Sequence, residues 1–117
     1  ELEVYTVVLN AQKSALNAIK PGMVCCDIDK IARDYIEAAG YGDYFGHGLG
    51  HGVGLYIHEE PRFSRTCDVV LEPGMVLSVE PGIYLPGEFG VRIEDLIVVT
   101  ENGYANLASS PKVLMLM

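Results

Sequence analysis

A glycine occupies every second position from Gly46 to Gly54, within the stretch "GHGLGHGVGLYIHEEP" (46–61), and this alternation restricts the backbone more than any other feature of the chain. Glycine disfavours a helix by ~1 kcal/mol per residue relative to alanine. The segment is therefore expected to be extended or looped. In an extended chain His47, Leu49, His51, Val53 and Leu55 project to one side. The glycines leave the other side bare, open to close approach by a second backbone or a substrate. All three histidines of the 117 residues, His47, His51 and His58, lie in this stretch. It is not an H-E-x-x-H zinc helix, because Gly48 stands where the glutamate would be, and no G-x-G-x-x-G spacing fits.

Upstream, Tyr5, Val8, Leu9, Ala11, Ala15, Leu16 and Ile19 recur at helical spacing. They predict a helix over 3–20, ended by Lys20-Pro21-Gly22. Asp27 is the expected N-cap of a second helix whose Ile28, Ile31, Ala32, Tyr35, Ile36 and Ala39 keep the period until Gly40 stops it. Asp27 and Asp29 read as cap and first-turn dipole residues. Beyond Gly40 the texture changes to short β-type runs between Gly and Pro: a strand over 75–80 closed by Pro81-Gly82, then a longer one over 91–100. Asn102-Gly103 before "YANLA" signals a hairpin. Two helices followed by mostly antiparallel strands make an α+β domain, with no internal repeat or linker.

Half of the residues are hydrophobic, enough for a core without disulfides or a structural metal. The formal charge of -8 disfavours nucleic acid and anionic membrane surfaces as partners. Cys25, Cys26 and Cys67 match no disulfide framework or paired zinc spacing; they read as buried, reduced thiols, which points to the cytoplasm. No apolar run approaches the ~18 residues of a bilayer span.

Chemistry is suggested by two glutamates in apolar runs, Glu80 at the end of one strand and Glu94 inside another. A buried ionised carboxylate is costly unless paired or bound to a metal. Arg92 shares strand parity with Glu94, so a surface ion pair with Glu80 turned to water is one reading. In the other, His51, Glu80 and Glu94 offer an imidazole and two carboxylates to Mn²⁺, Co²⁺ or Zn²⁺.

Three ordered motifs, "HGLGHGVGLYIHEEP", "LEPGMVLSVEPGIY" and "GVRIEDLIVVTENG", resemble the C-terminal half of the pita-bread metallopeptidases, and among them the Xaa-Pro aminopeptidases and Xaa-Pro dipeptidases (prolidases). The helical segments "AQKSALNAIKPG" and "DIDKIARDYIEAAG" extend the resemblance over essentially the whole chain. It implies half of a pita-bread fold, two helices with a mostly antiparallel curved sheet. It implies His51 as a metal ligand, Glu80 as a ligand that also shuttles the proton, and Glu94 as the carboxylate bridging two metals. His58 is implied to stabilise the tetrahedral intermediate, His47 to stand near the substrate, and Arg92 to support the metals or touch the substrate. The implied reaction is metal-dependent hydrolysis of the peptide bond preceding proline, with two divalent ions per intact site, Mn²⁺ first, else Co²⁺ or Zn²⁺.

The same resemblance calls for two further aspartate ligands on strands ahead of the first helix, which residues 1–117 do not include. The 117 residues are accordingly expected to be the C-terminal part of the catalytic domain. Alone they should bind at most one divalent ion, weakly, lack peptidase activity and tend to self-associate, whereas the intact enzyme is expected to be a homodimer acting on proline-containing peptides. The alternative is a metal-free pita-bread homologue, either a binding module or a creatinase-like hydrolase. Retention of His51, Glu80 and Glu94 speaks against it.

Overall fold

The chain folds as a helical layer over an antiparallel sheet in a computed structural model that describes residues 2–52 and 61–115. Helix α1 (Leu2–Ala18) follows the apolar period and buries Val4, Val8, Ala11, Ala15 and Leu16, with one polar residue, Gln12, on the same face. Helix α2 (Cys25–Ala38) buries Cys25, Ile28, Ala32 and Ile36, packs against α1 and stops ahead of Gly40.

The start of α2 differs from the sequence expectation. Val24, not Asp27, is the N-cap, and no side chain caps the helix. The first N–H groups of a helix need outside acceptors, and here a neighbouring backbone supplies them. Cys25 N–H donates to the Val69 carbonyl (2.9 Å) and Cys26 N–H to that of Cys67 (2.8 Å), beside a bridge between Val24 and Val70. The three cysteines are free, Cys25 buried and the other two half-buried. Burial pushes the Cys25 thiol up to about 12, which keeps it protonated and unreactive.

Strand β1 (Gly50–His51) pairs with β2 (Arg62–Phe63) in a small antiparallel ribbon. The larger sheet is organised by β5 (Phe89–Val99). One edge of β5 pairs first with β4 (Gly82–Leu85) and then with β3 (Val76–Val79), while β6 (Tyr104–Met115) runs along its whole other edge. The β5–β6 hairpin closes over Thr100–Gly103, where Thr100 N–H donates to the Gly103 carbonyl (2.9 Å), as the Asn-Gly signal predicts. Along β5 Ile93, Asp95, Ile97 and Val99 are buried and Arg92, Glu94, Leu96 and Val98 are less so. This period of two places Glu94 on the face opposite Ile93. No helix among the described residues is long and apolar enough to cross a membrane.

The glycine alternation has the predicted use. A Cβ on Gly50 would overlap the backbone carbonyl of Ser78, so only glycine lets the histidine segment lie against β3. Leu49 and His51 do not share one environment, however: Leu49 is fully buried while the His51 side chain is 52% exposed. Leu49 fills the core between α2 and the sheet because its N–H is drawn to Asp29 Oδ1 (2.9 Å).

Asp29 is therefore more than a dipole residue. It is 1% exposed and takes Nε and Nη2 of Arg33 at 3.0 and 3.2 Å. Arg33 in turn donates to the carbonyls of Phe45 (3.2 Å) and His47 (3.0 Å) and lies 4.4 Å over the Phe45 ring. One buried ion pair on α2 thus clamps the backbone that carries His47. Removing one partner of a buried pair strands the other charge, at a cost of about 3–5 kcal/mol. Asp29→Ala should lower unfolding stability by that amount, read from the urea midpoint at unchanged m-value.

Candidate active site

The loop 45–49, strand β1, the end of β3 and the middle of β5 deliver the side chains singled out above. His47 Nδ1 faces the Gly48 carbonyl at 2.6 Å, and its Nε2 faces the Tyr84 hydroxyl at 2.9 Å. A carbonyl only accepts, so Nδ1 carries the proton and Nε2 accepts from the phenol. Phe45 meets the His47 ring edge-on, with centroids 5.1 Å apart. Together these contacts fix both tautomer and ring plane.

Tyr84 is the residue that sequence reading missed. It lies at the end of "VEPGIY", and its ring folds back over Gly82, where a Cβ would stand 2.7 Å from the hydroxyl. That glycine two positions earlier is the only local signal. Burial raises the Tyr84 phenol above its ordinary value, with Arg92 opposing, so the group is a hydrogen-bond donor at neutral pH.

His51 is fixed in the same way. Its N–H donates to Ser78 Oγ (3.0 Å), and ring Nδ1 faces the Gly52 carbonyl at 3.1 Å. With Nδ1 donating, the neutral ring keeps its lone pair on Nε2, which faces Glu80 Oε2 at 3.5 Å. Glu80 is held by its own N–H, which donates to the Leu49 carbonyl at 2.6 Å. Its Oε2 is buried and has no hydrogen-bond partner among the described residues. Two lone pairs thus face each other at a distance too long for a charge-assisted hydrogen bond. Such a pair is satisfied by a cation between or beside it, and a backbone carbonyl orienting the far ring nitrogen is the usual support of a metal-binding histidine.

Glu94 stands across the ladder. Val79 pairs with Asp95, so one residue further the register sets Glu80 opposite Glu94. Like charges directly opposite are destabilising unless a positive charge intervenes. Arg92 supplies part of it, with Nη2 3.7 Å from Glu94 Oε1, while Arg92 Nε is buried without a partner among the described residues. No three metal-ligating side chains converge closely enough among the described residues to hold an ion by themselves. The structure brings His51 to Glu80 and His47 to Tyr84, and it leaves Glu94 beside Arg92. His58 lies outside the described residues.

The imidazole of His51 and the carboxylate of Glu80, with the opposed carboxylate of Glu94, are donor types suited to a divalent ion, short of a full coordination shell; the Arg92 guanidinium can only donate hydrogen bonds there. Comparison with known proteins identifies the family. The chain is 54% identical over 113 residues to the Xaa-Pro dipeptidase of Pyrococcus furiosus, an alignment covering 97% of this chain and 32% of that protein. The Xaa-Pro dipeptidase structure from Bacillus anthracis superposes with a TM-score of 0.87 at 52% identity, over 99% of this chain and 33% of that one. The X-Pro aminopeptidase structure from Thermotoga maritima does so with a TM-score of 0.87 at 44% identity, over 99% and 33%. The chain thus spans about a third of the length of these relatives, and over that third its α+β architecture is part of the pita-bread fold. Residues 1–101 match the profile of Metallopeptidase family M24, and the chain belongs to that family.

Proposed function

We propose that the whole protein containing these residues hydrolyses peptide bonds that precede proline, using divalent metal held in part by His51, Glu80 and Glu94. The observation that carries this reading is the facing of His51 Nε2 and Glu80 Oε2 across 3.5 Å, the latter without a hydrogen-bond partner among the described residues. The names of the similar proteins, Xaa-Pro dipeptidase and X-Pro aminopeptidase, support the substrate class. The two further aspartates that the resemblance calls for would come from the remainder of a protein of the relatives' length. Mn²⁺ is the first choice of ion because the donors are one imidazole and carboxylates, with no thiolate. When bound, such an ion lowers the pKa of a water and polarises the scissile carbonyl.

The chain's own residues do the rest. Glu80, whose Oε2 is buried without a hydrogen-bond partner among the described residues, takes the proton of the attacking water and passes it to the leaving amine. His51 is held by Gly52 in the tautomer that leaves Nε2 a ligand. His47, fixed by the Gly48 carbonyl and the Tyr84 hydroxyl, stands beside the proposed substrate path, and Arg92 Nε–H, without a partner among the described residues, is available to a substrate carbonyl or carboxylate. His58 takes the oxyanion-stabilising role. A homodimer with a cytoplasmic location completes the proposal.

Glu80→Gln removes the base and weakens the ligand. In the full-length protein it should lower kcat on an Xaa-Pro dipeptide by about 100- to 10,000-fold, measured alongside metal content by elemental analysis. A metal-free wild-type protein, or one that cleaves neither a dipeptide nor a longer Xaa-Pro peptide with Mn²⁺, Co²⁺ or Zn²⁺, would overturn the reading.

Tyr84→Phe deletes one hydrogen bond, worth ~0.5–1.5 kcal/mol, so kcat/KM should fall several-fold. The phenol also leaves a mark on stability. Its folded value is raised, so above pH ~10 the unfolded chain ionises first and the contribution of the neutral phenol, complete below that pH, is lost as pH rises. Thermal melts between pH 8 and 11 should show a shallower alkaline fall for Tyr84→Phe than for the wild type.

A further inference from the structure

Gln12 is 3% exposed and sits among Val8, Ala11, Ala15 and Leu16 on the core face of α1. A side-chain amide in such a stripe is costly unless it is hydrogen-bonded. Its Nε2 reaches across the helix–sheet interface to two carbonyls on different strands, that of Val79 at 3.2 Å and that of Ile93 at 3.4 Å. Each belongs to the residue immediately before a proposed ligand, Glu80 or Glu94.

The ladder explains why a donor is needed there. The edge of β5 passes from β3 to β4 between the pairs Val79 with Asp95 and Gly82 with Arg92. In that gap Ile93 N–H donates to the Pro81 carbonyl at 3.3 Å. Two residues so paired in an antiparallel ladder normally exchange both bonds. Proline has no N–H to return, so the Ile93 carbonyl is left without its ladder donor, and Nε2 of Gln12 takes that place. The Val79–Glu80 peptide is held at both ends of one rigid plane: its carbonyl by Gln12 and its N–H by the Leu49 carbonyl.

We propose that Gln12 is a positioning residue of the metal centre: by donating to the carbonyls of Val79 and Ile93, it ties together the two strand segments that present Glu80 and Glu94 and sets the spacing of their carboxylates. This rests on the metal-dependent reading given above. Gln12 touches neither substrate nor ion. It acts through two peptide planes, where the ladder between Pro81 and Ile93 lacks one of its two hydrogen bonds.

The test uses the full-length protein and Mn²⁺. Gln12→Met keeps the length and shape of the side chain and removes the donor. It should weaken Mn²⁺ binding by about tenfold or more in calorimetric titration, and lower kcat at a fixed subsaturating metal concentration while leaving KM for an Xaa-Pro dipeptide unchanged. Adding Pro81→Ala to Gln12→Met restores a backbone N–H opposite Ile93 and should recover most of the lost affinity. If Gln12→Met does not fold, Gln12→Asn, which keeps the amide on a shorter stem, should show the same weakening. A lower melting temperature with unchanged Mn²⁺ affinity in either variant would mean a merely structural role and overturn the proposal. So would failure of Pro81→Ala to restore affinity in a folded double variant. A wild-type protein that binds no Mn²⁺ would instead remove the metal reading itself, and this proposal with it.

Discussion

Where Gly50 crosses β3, the backbone of the histidine segment lies so close to the Ser78 carbonyl that no side chain could stand between them. From this contact the candidate site follows. The Leu49 carbonyl comes within 2.6 Å of the Glu80 N–H, and the His51 N–H within 3.0 Å of Ser78 Oγ. The half-exposed imidazole of His51 then stands at the end of β3, with Nε2 3.5 Å from Oε2 of Glu80, where that residue leaves the strand. Alanine at position 50 would push the two backbones apart and separate the pair, though it lies on the side of the chain away from the chemistry.

Two buried polar side chains on the helices hold this crossing from behind. Asp29 and Arg33 on α2 clamp the segment entering it, through the carbonyls of Phe45 and His47 and the N–H of Leu49. Gln12 on α1 holds the strand ends leaving it. Buried polar groups are costly when unsatisfied and specific when satisfied, so each helix contributes orientation as well as apolar cover. The apolar contacts of Val8, Ile28, Leu77 and Ile97 bring helices and sheet together without direction; the polar ones decide where they stop.

The unsatisfied groups are as informative as the satisfied ones. Glu80 Oε2 and Arg92 Nε are buried acceptor and donor without partners among the described residues, and both face the surface on which Glu80 and Glu94 oppose each other. Buried polar atoms in native proteins almost always have a partner. Their concentration at one place, on the face of β5 opposite the helices, is what the proposed metal-dependent reading stands on.

The apolar repeat of 3.6 was enough for the two helices, because burial of one face writes it into the residue order, while β-type runs bounded by Gly and Pro gave the strands around 75–80 and 91–100 and the Asn-Gly pair gave the hairpin. The motifs around His51, Glu80 and Glu94 carried the family. Other features were not legible. Asp27 looked like a cap, but the backbone of residues 67–70 satisfies the start of α2. Asp29 looked like a first-turn charge, but its partner is an N–H twenty residues away. Gln12 carries no local signal of role and Tyr84 only the glycine two positions before it, since each acts on an atom more than thirty positions distant in the chain. Sequence determines which faces are apolar and which residues can hold an ion. Only the tertiary structure decides which lone pairs meet, because a hydrogen bond depends on tenths of an ångström between segments that chain order does not relate.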